Sequence, residues 1–396
     1  MPKQGLRDVD VQRKRVLLRV DFNVPLDTDT GAITDDSRIR ASLPSIKYLV
    51  DQRAKVIICS HLGRPKGKID EKLRMKPIAE HLSRLIDLPV STAPDCVGQQ
   101  TEQLVKELRE GDILCLENAR FHREEESNEP GFARDLASLA DIFVNDAFGT
   151  AHRAHASTVG VTTYLPAVAG FLMERELLAM SGLLNDPKRP FACVMGGAKV
   201  SDKMGLVGNM LRRVDSLLIG GGMAATFLKA QGYEVGRSLV EDDKLDLAEG
   251  LLHQASERKV DVLLPVDVVV AEEVEAEAAA QVVPIAKISS KDHIVDIGPQ
   301  TTELFSGELN RCRTIVWNGP MGIYEMPRFA QGTKSLVILL STLNATTVIG
   351  GGSSTDIVHE MRLADKMTHV STGGGATLEF LEGIPLPGVE ALLDKV

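Results

Sequence analysis

Residues 54–65 read AKVIICSHLGRP, an apolar run too short for a free-standing helix that breaks into a histidine, a glycine and an arginine ahead of a proline. Glycine and proline end strands of every kind, so they decide little. The basic pair decides more, because His61 and Arg64 would sit together at the carboxyl edge of a strand. In an open parallel α/β sheet that edge is where ligands bind.

Runs of the same kind recur. The first half adds KRVLLRVDFNVP (14–25), GDILCLENARF (111–121) and ADIFVNDAFG (140–149). The second half gives PFACVMGGAK, VDSLLIGGGM, VDVLLPVDVVV, RTIVWNGPMG, TTVIGGGSS and THVSTGGGAT. Between them lie SRIRASLPSIKYLVDQ, KPIAEHLSRLI and DKLDLAEGLLHQASER, with apolar residues at helical spacing. Strands alternating with helices predict parallel sheets covered on both faces. About ten strands are too many for one comfortable sheet, and 396 residues exceed the size at which a single core keeps growing. The expected fold is α/β, with two doubly wound parallel-sheet domains. Their joint falls in YLPAVAGFLMERELLAMSGLLNDPKRP (164–190), whose middle reads as one long amphipathic helix. The domains are expected at 1–170 and 189–382, with a helical hinge over 171–188. The Ala/Glu-biased AEEVEAEAAAQVV (271–283) reads as a solvated surface segment.

The composition is that of a globular protein, 43% hydrophobic and 25% charged. A formal net charge of -10 argues against nucleic acid and against a membrane surface as partners, since both need a basic face. A local basic cluster on that background suits capture of a small anion. The five cysteines are widely spaced, without CxxC or Cys/His ligand spacing, which speaks against a disulfide framework or a zinc site. The start, MPKQGLRDVDVQRKR, has no apolar leader core, and the expected location is cytoplasmic.

The strand ends of the two halves differ in kind. Those of the first half carry Asp21 and Asn23, His61 and Arg64, and Arg120, with His152, Arg153 and His155 in GTAHRAHAST. Arg38 stands at the head of a helical run. One arginine is ordinarily a solvated surface residue. Several at converging strand ends would hold a small multiply charged acid through bidentate guanidinium contacts. Strand ends of the second half carry glycines, which permit positive φ and a close approach of backbone N–H groups to a ligand. In GGAKVSDK, Lys199 and Lys203 are four apart and would share one face of a helix. A Walker GxxxxGK[ST], an opening GxGxxG unit and the HRD and DFG kinase motifs do not occur.

Seven motifs, VDFNVP, SHLGRP, ENARF, AHRAHAS, GGAKVSDK, NGPMGIYE and STGGGATLEFLEG, make the chain resemble the phosphoglycerate kinase family over essentially its full length. The resemblance implies two domains on a helical hinge, with a tail from about residue 383 packing back on the first. It implies reversible phosphoryl transfer between 1,3-bisphosphoglycerate and ADP, with Mg²⁺, giving 3-phosphoglycerate and ATP in glycolysis, gluconeogenesis or carbon fixation. A monomer is implied, with these small molecules as its partners. Carried over by motif, the triose-acid site would comprise Asp21, Phe22, Asn23, Arg38, His61, Leu62, Gly63, Arg64, Arg120 and Arg153. The nucleotide site would comprise Lys199, Lys203, Ile294, Glu325, Gly351, Gly352, Ser353 and Ser354. Arg38, Lys199, Gly373 and Gly374 would act on the phosphoryl group in flight, with Gly375 beside them. Two positions depart from the family pattern. Ser353 replaces the aspartate that binds the nucleotide's metal, and Ile294 replaces a glycine. No metal ligand is therefore assigned, and Mg²⁺ is expected to be held mainly through the nucleotide. Asp356 is expected in the first turn of a helix starting at Ser353 or Ser354. The lost aspartate motivates an alternative, a catalytically weakened binding or regulatory member of the same fold.

Overall fold

The runs Val16–Leu18, Val56–Cys59 and Ile113–Cys115 have no polar face, so strands built from them need cover on both sides. A computed structural model, which describes residues 2–395, supplies that cover. Its contacts divide the chain into two units, one running to Leu178 and resuming at Pro385, the other Ala179–Ile384.

The first unit holds six parallel strands, β1 Arg15–Val20, β2 Lys55–Cys59, β3 Val90–Thr92, β4 Ile113–Cys115, β5 Ile142–Asp146 and β6 Ala167–Ala169, in the order β3-β4-β2-β1-β5-β6. The chain leaves β1 toward β2 and later returns to β1's other side as β5. That reversal opens a crevice at the carboxyl end of β1. The apolar faces of the helices Ser37–Asp51 and Lys76–Ile86 bury Ile39, Ile46, Leu49, Ile78 and Leu82 against Val16, Leu18, Val56 and Ile58. Within the same unit the chain's last residues are tied down, with Gly388 N–H donating to Ala151 O at 2.8 Å and Leu393 N–H to Ala167 O at 3.0 Å.

The second unit has a six-stranded sheet of β7 Phe191–Met195, β8 Ser216–Ile219, β9 Asp261–Leu263, β13 Thr314–Asn318, β14 Thr346–Gly350 and β15 His369–Val370, in the order β15-β14-β13-β7-β8-β9. Here the reversal lies between β7 and β13. Beside it stands an antiparallel sheet of β10 Asp267–Ala271, β11 Ala280–Pro284 and β12 His293–Ile297, in the order β11-β10-β12. That sheet corrects one expectation: VDVLLPVDVVV is two strands, because Pro265 cannot donate to a ladder. The end of the Ala/Glu segment is the exposed edge strand β11, in keeping with a solvated surface segment. The helix expected over 171–188 spans Phe171–Asn185, since Pro187 cannot continue it. The five cysteines are buried free thiols. Among the described residues no helix is long and apolar enough to cross a membrane.

Candidate active site

In the first unit, β1, β2, β4 and β5 all point their carboxyl ends the same way, and the polar residues that follow them are built into one another. The Arg38 guanidinium, one residue into the Ser37–Asp51 helix, meets the Asp21 carboxylate after β1 at 2.5 Å. Asn23 Oδ1 accepts from Gly63 N–H at 2.7 Å, and Arg120 Nη1–H donates to Gly63 O at 3.0 Å. Gly63 itself has φ +64°, and an added Cβ would lie 2.8 Å from the Leu73 side chain, so the loop's shape requires glycine there. Asn118, buried, braces it from below, accepting from Leu62 N–H at 3.2 Å and donating to Leu62 O at 2.7 Å.

Of the basic groups, His61 and Arg120 are buried, Arg38 and Arg153 are partly exposed, and Arg64 is exposed. Arg64 makes no ion pair or side-chain hydrogen bond among the described residues, so its charge is uncommitted. Phe22 and Leu62 bury their side chains in the core and offer only backbone at the strand ends. Burial holds the His61 ring well below its usual pKa, and Arg19, Arg120, Arg38 and His155 press in the same direction. His155 is likewise lowered to about 4 by burial and then by Arg120, Arg19, Arg153 and His152. Both rings are therefore neutral at pH 7, and the positive charge of this site is carried by arginine. The arrangement can hold a small anion of more than one charge.

The second unit uses backbone. Glycines at positive φ follow β7 (Gly197, +98°), β8 (Gly221, +66°), β13 (Gly319, +95°) and β14 (Gly351, +88°). At Gly221 an added Cβ would fall 2.6 Å from Gly197 N and 2.7 Å from Pro320 O. A cavity of about 400 Å³ opens beside these turns, lined by Gly197, Gly221, Gly222, Leu239, Val274, Ile294, Pro320, Met321, Ile323, Glu325 and Ser353 among others. It is a mainly apolar slot with the Asp296 and Glu325 carboxyl groups and glycine amides at its margins, and it can take a flat apolar ring with a polar appendage.

Three of the residues assigned to a nucleotide from sequence, Ile294, Glu325 and Ser353, line the cavity. Lys199 and Lys203 do not share a helix face as expected. Lys199 lies in irregular chain ahead of any helix and is exposed, whereas Lys203 ends a single 3-10 turn, Ser201–Lys203. The Lys203 ammonium donates to the Asn318 backbone O at 3.2 Å and to Asn318 Oδ1. Burial brings its pKa down to about 8. Ser354 is buried, and its hydroxyl accepts from Gly319 N–H at 2.7 Å, tying two turns together. The helix after Gly351 begins at Gly352. Asp356 is thus its fifth residue, outside the first turn where it was expected, because the positive φ at Gly351 starts the helix one residue early. Gly374 (φ +49°) precedes the Gly375–Glu382 helix, and Gly373 N–H donates to Ser371 Oγ at 3.0 Å.

Sequence reading passed over several of these positions. Leu239 and Val274 lie in connections without a motif. Gly221 and Gly222 belong to the triplet of VDSLLIGGGM, where sequence alone does not separate a ligand-facing glycine from one required by packing. In the first unit Arg19, Asn118, Glu125 and Ser157 form a buried polar layer beneath the strand ends. The signal was present for Arg19, a charge inside an otherwise apolar strand. Elsewhere in that unit, ligand-type atoms of Asp95, Cys96 and His122 lie within 4.8 Å of one another. They satisfy one another and their neighbours, His122 Nε2 pairing with Asp95 at 2.6 Å and the Cys96 thiol donating to Glu117 O.

Comparison with known proteins gives one answer. The family model described as "Phosphoglycerate kinase" matches residues 6–384. A protein named phosphoglycerate kinase from Pelotomaculum thermopropionicum is 56% identical over 395 residues, covering 100% of each chain. One of the same name from Dictyoglomus turgidum is 55% identical over 98% of each. Among solved structures, phosphoglycerate kinase from Coxiella burnetii matches with a TM-score of 0.88 at 42% identity, covering 98% of each chain.

Proposed function

The chain belongs to the phosphoglycerate kinase family, and from that premise we propose how its residues divide the work. The enzyme transfers a phosphoryl group reversibly between 1,3-bisphosphoglycerate and ADP, giving 3-phosphoglycerate and ATP. Relatives of the kinase name match it from end to end, and nothing in these comparisons favours a weakened regulatory member.

The 3-phosphoglycerate is held at the strand ends of the first unit. Arg38, Arg64, Arg120 and Arg153 meet its charges, Asp21 and Asn23 orient the cradle, and His61 contributes a neutral ring. The observation that carries this assignment is the convergence of these groups on four parallel strand ends, with Arg38 and Arg120 already braced by Asp21 and Gly63. The nucleotide base occupies the apolar slot of the second unit, with Glu325 toward the ribose. Its phosphates lie against the amides of Gly351 to Ser353, where a helix amino terminus favours an anion.

Transfer of this kind asks little covalent chemistry of the protein. Arg38 and Lys199 neutralise charge on the phosphoryl group in flight, and the Gly373–Gly374 amides orient it. Mg²⁺ enters as part of the nucleotide substrate and neutralises its phosphates. Ser353 offers only a neutral oxygen at the turn, so the ion would be held mainly through the nucleotide's phosphates and water. A monomer working in the cytoplasm fits this account.

A coupled assay for ATP formation from ADP and 1,3-bisphosphoglycerate tests it. Turnover that collapses in Arg38→Ala supports the assignment. Unchanged turnover in that variant refutes it.

A further inference from the structure

Arg19 stands one residue before the carboxyl end of β1 at 1% exposure, flanked by the fully buried Leu18 and Val20. A guanidinium so placed is costly unless its charge and its N–H groups are all met. Here they are. Nε–H donates to Ser157 Oγ at 2.8 Å, Nη1–H donates to Val20 O, and Nη2 lies 3.3 Å from His61 Nδ1. Ser157 in turn donates its hydroxyl to Glu125 Oε1 at 2.5 Å and its N–H to Oε2 at 2.9 Å, and Glu125 is fully buried. The result is a closed relay, Arg19 to Ser157 to Glu125, in which the buried charges balance and one arm of the guanidinium is left for His61.

We propose that Arg19 is a positioning residue for the reaction: it holds the His61 ring with its proton on Nε2, so that His61 presents the phosphoglycerate with a neutral N–H donor. This rests on the assignment of His61 to the phosphoglycerate cradle. The logic is one of donors and acceptors. Guanidinium has five donors and no acceptor and keeps its proton in proteins, so across the 3.3 Å contact Nδ1 must accept. In a neutral imidazole the other nitrogen then carries the hydrogen. The charged groups facing the ring are Arg19, Arg38 and Arg120, with Asp21 on the Nδ1 side and the neutral His155 ring beside them. Asp21 lies 3.9 Å from Nδ1 but is committed to Arg38 at 2.5 Å, so the surroundings keep the ring uncharged. His61 Nε2 makes no hydrogen bond among the described residues, so its hydrogen is left for a ligand. The tautomer matters because the ligand is an anion. Nε2–H attracts a carboxylate or phosphate oxygen, whereas a bare Nε2 lone pair repels it.

The direct test is long-range proton–nitrogen NMR on the whole protein labelled with ¹⁵N-histidine, with His61 assigned through His61→Gln. The expected spectrum shows His61 neutral and protonated at Nε2 between about pH 6 and 8. A protonated Nδ1, or a charged ring at pH 7, overturns the proposal without any change to Arg19. A second arm uses Arg19→Met with Glu125→Gln, which removes both buried charges together. That variant is expected to lose the fixed tautomer and to raise the KM for phosphoglycerate roughly tenfold, leaving the KM for ADP unchanged. Retention of both the tautomer and the KM refutes the role of Arg19. If His61→Gln leaves phosphoglycerate affinity unchanged, it is the assignment of His61 to the cradle that fails, while the spectrum still decides what Arg19 does to the ring.

Discussion

On the proposed assignment both units hold an anion at the ends of parallel strands, and they do so with different materials. The first uses side chains whose charges are fixed by one another, as Arg38 is by Asp21 and as the buried Arg19 is by Ser157 and Glu125. The second uses backbone, with glycines of positive φ after β7, β8, β13 and β14, and a single half-buried lysine, Lys203, reaching across to Asn318. In the first, deleting a side chain removes a contact and leaves the backbone in place. In the second, adding one methyl reshapes the site. A small acid with a carboxylate, a hydroxyl and a phosphate to distinguish needs directional side chains, whereas a run of nucleotide phosphates is served by amides that every sequence carries.

The contrast should break most visibly at Lys199. Its exposed ammonium is unburdened by structural duties, so Lys199→Ala should lower kcat by about 10²–10³-fold with little change in either KM. Steady-state kinetics decide it, and a change confined to KM would remove Lys199 from the catalytic role. Next in size is Gly221→Ala. The methyl would meet the Gly197 and Pro320 backbones at a φ that itself costs roughly 1–2 kcal/mol. ADP affinity should drop by about tenfold or more and Tm should fall, while 3-phosphoglycerate affinity stays as it was.

The two cradles should also separate with pH. Burial lowers the Lys203 ammonium to about 8 from its ordinary 10.5, so the free protein loses that proton as pH rises through about 8. Bound phosphate favours the charged form, and ADP binding should take up protons above pH 8 and weaken by up to about tenfold per pH unit. Calorimetry in buffers of different ionisation enthalpy measures the uptake. Stability runs the opposite way. The unfolded lysine keeps its proton up to 10.5, so between about 8 and 10.5 the unfolded state binds more protons and this group's burial penalty fades as pH rises. The arginine cradle titrates nowhere near this range. The smallest effect belongs to Ser353→Asp, which adds a carboxylate at the turn and should tighten apparent Mg²⁺ affinity in the nucleotide complex severalfold. Asp356→Asn, a turn further along the helix, should change it little. Activity against free Mg²⁺ at fixed nucleotide measures both.

The α/β architecture was legible because parallel strands covered on both faces must be written as unbroken apolar runs, and VIIC and VLL are such runs. The placement of His61, Arg64 and Arg120 at strand ends was legible for the same reason: a polar residue directly after an apolar run marks where the strand stops. Shorter elements were not. Ala167–Ala169 has three small residues and no alternation, and β11 exposes most of its side chains, so neither carries a burial pattern. Spacing alone puts Lys199 and Lys203 on one helix, and it cannot see that the chain after the positive-φ Gly197 reaches its helix only at Met204. Arg19 was hidden in plain view, since one charge in an apolar strand reads as an alternating face until its partners, far along the chain, are known.

The central claim is that the acid cradle and the nucleotide cradle are independent devices on separate units. Arg64→Ala tests it most directly, because Arg64 is exposed and uncommitted, so its loss removes charge without disturbing structure. Wild type and variant are titrated separately with 3-phosphoglycerate and with ADP by calorimetry. The account predicts that 3-phosphoglycerate weakens by about tenfold while ADP affinity is unchanged. An equal loss for both ligands, or a loss for ADP alone, would contradict it.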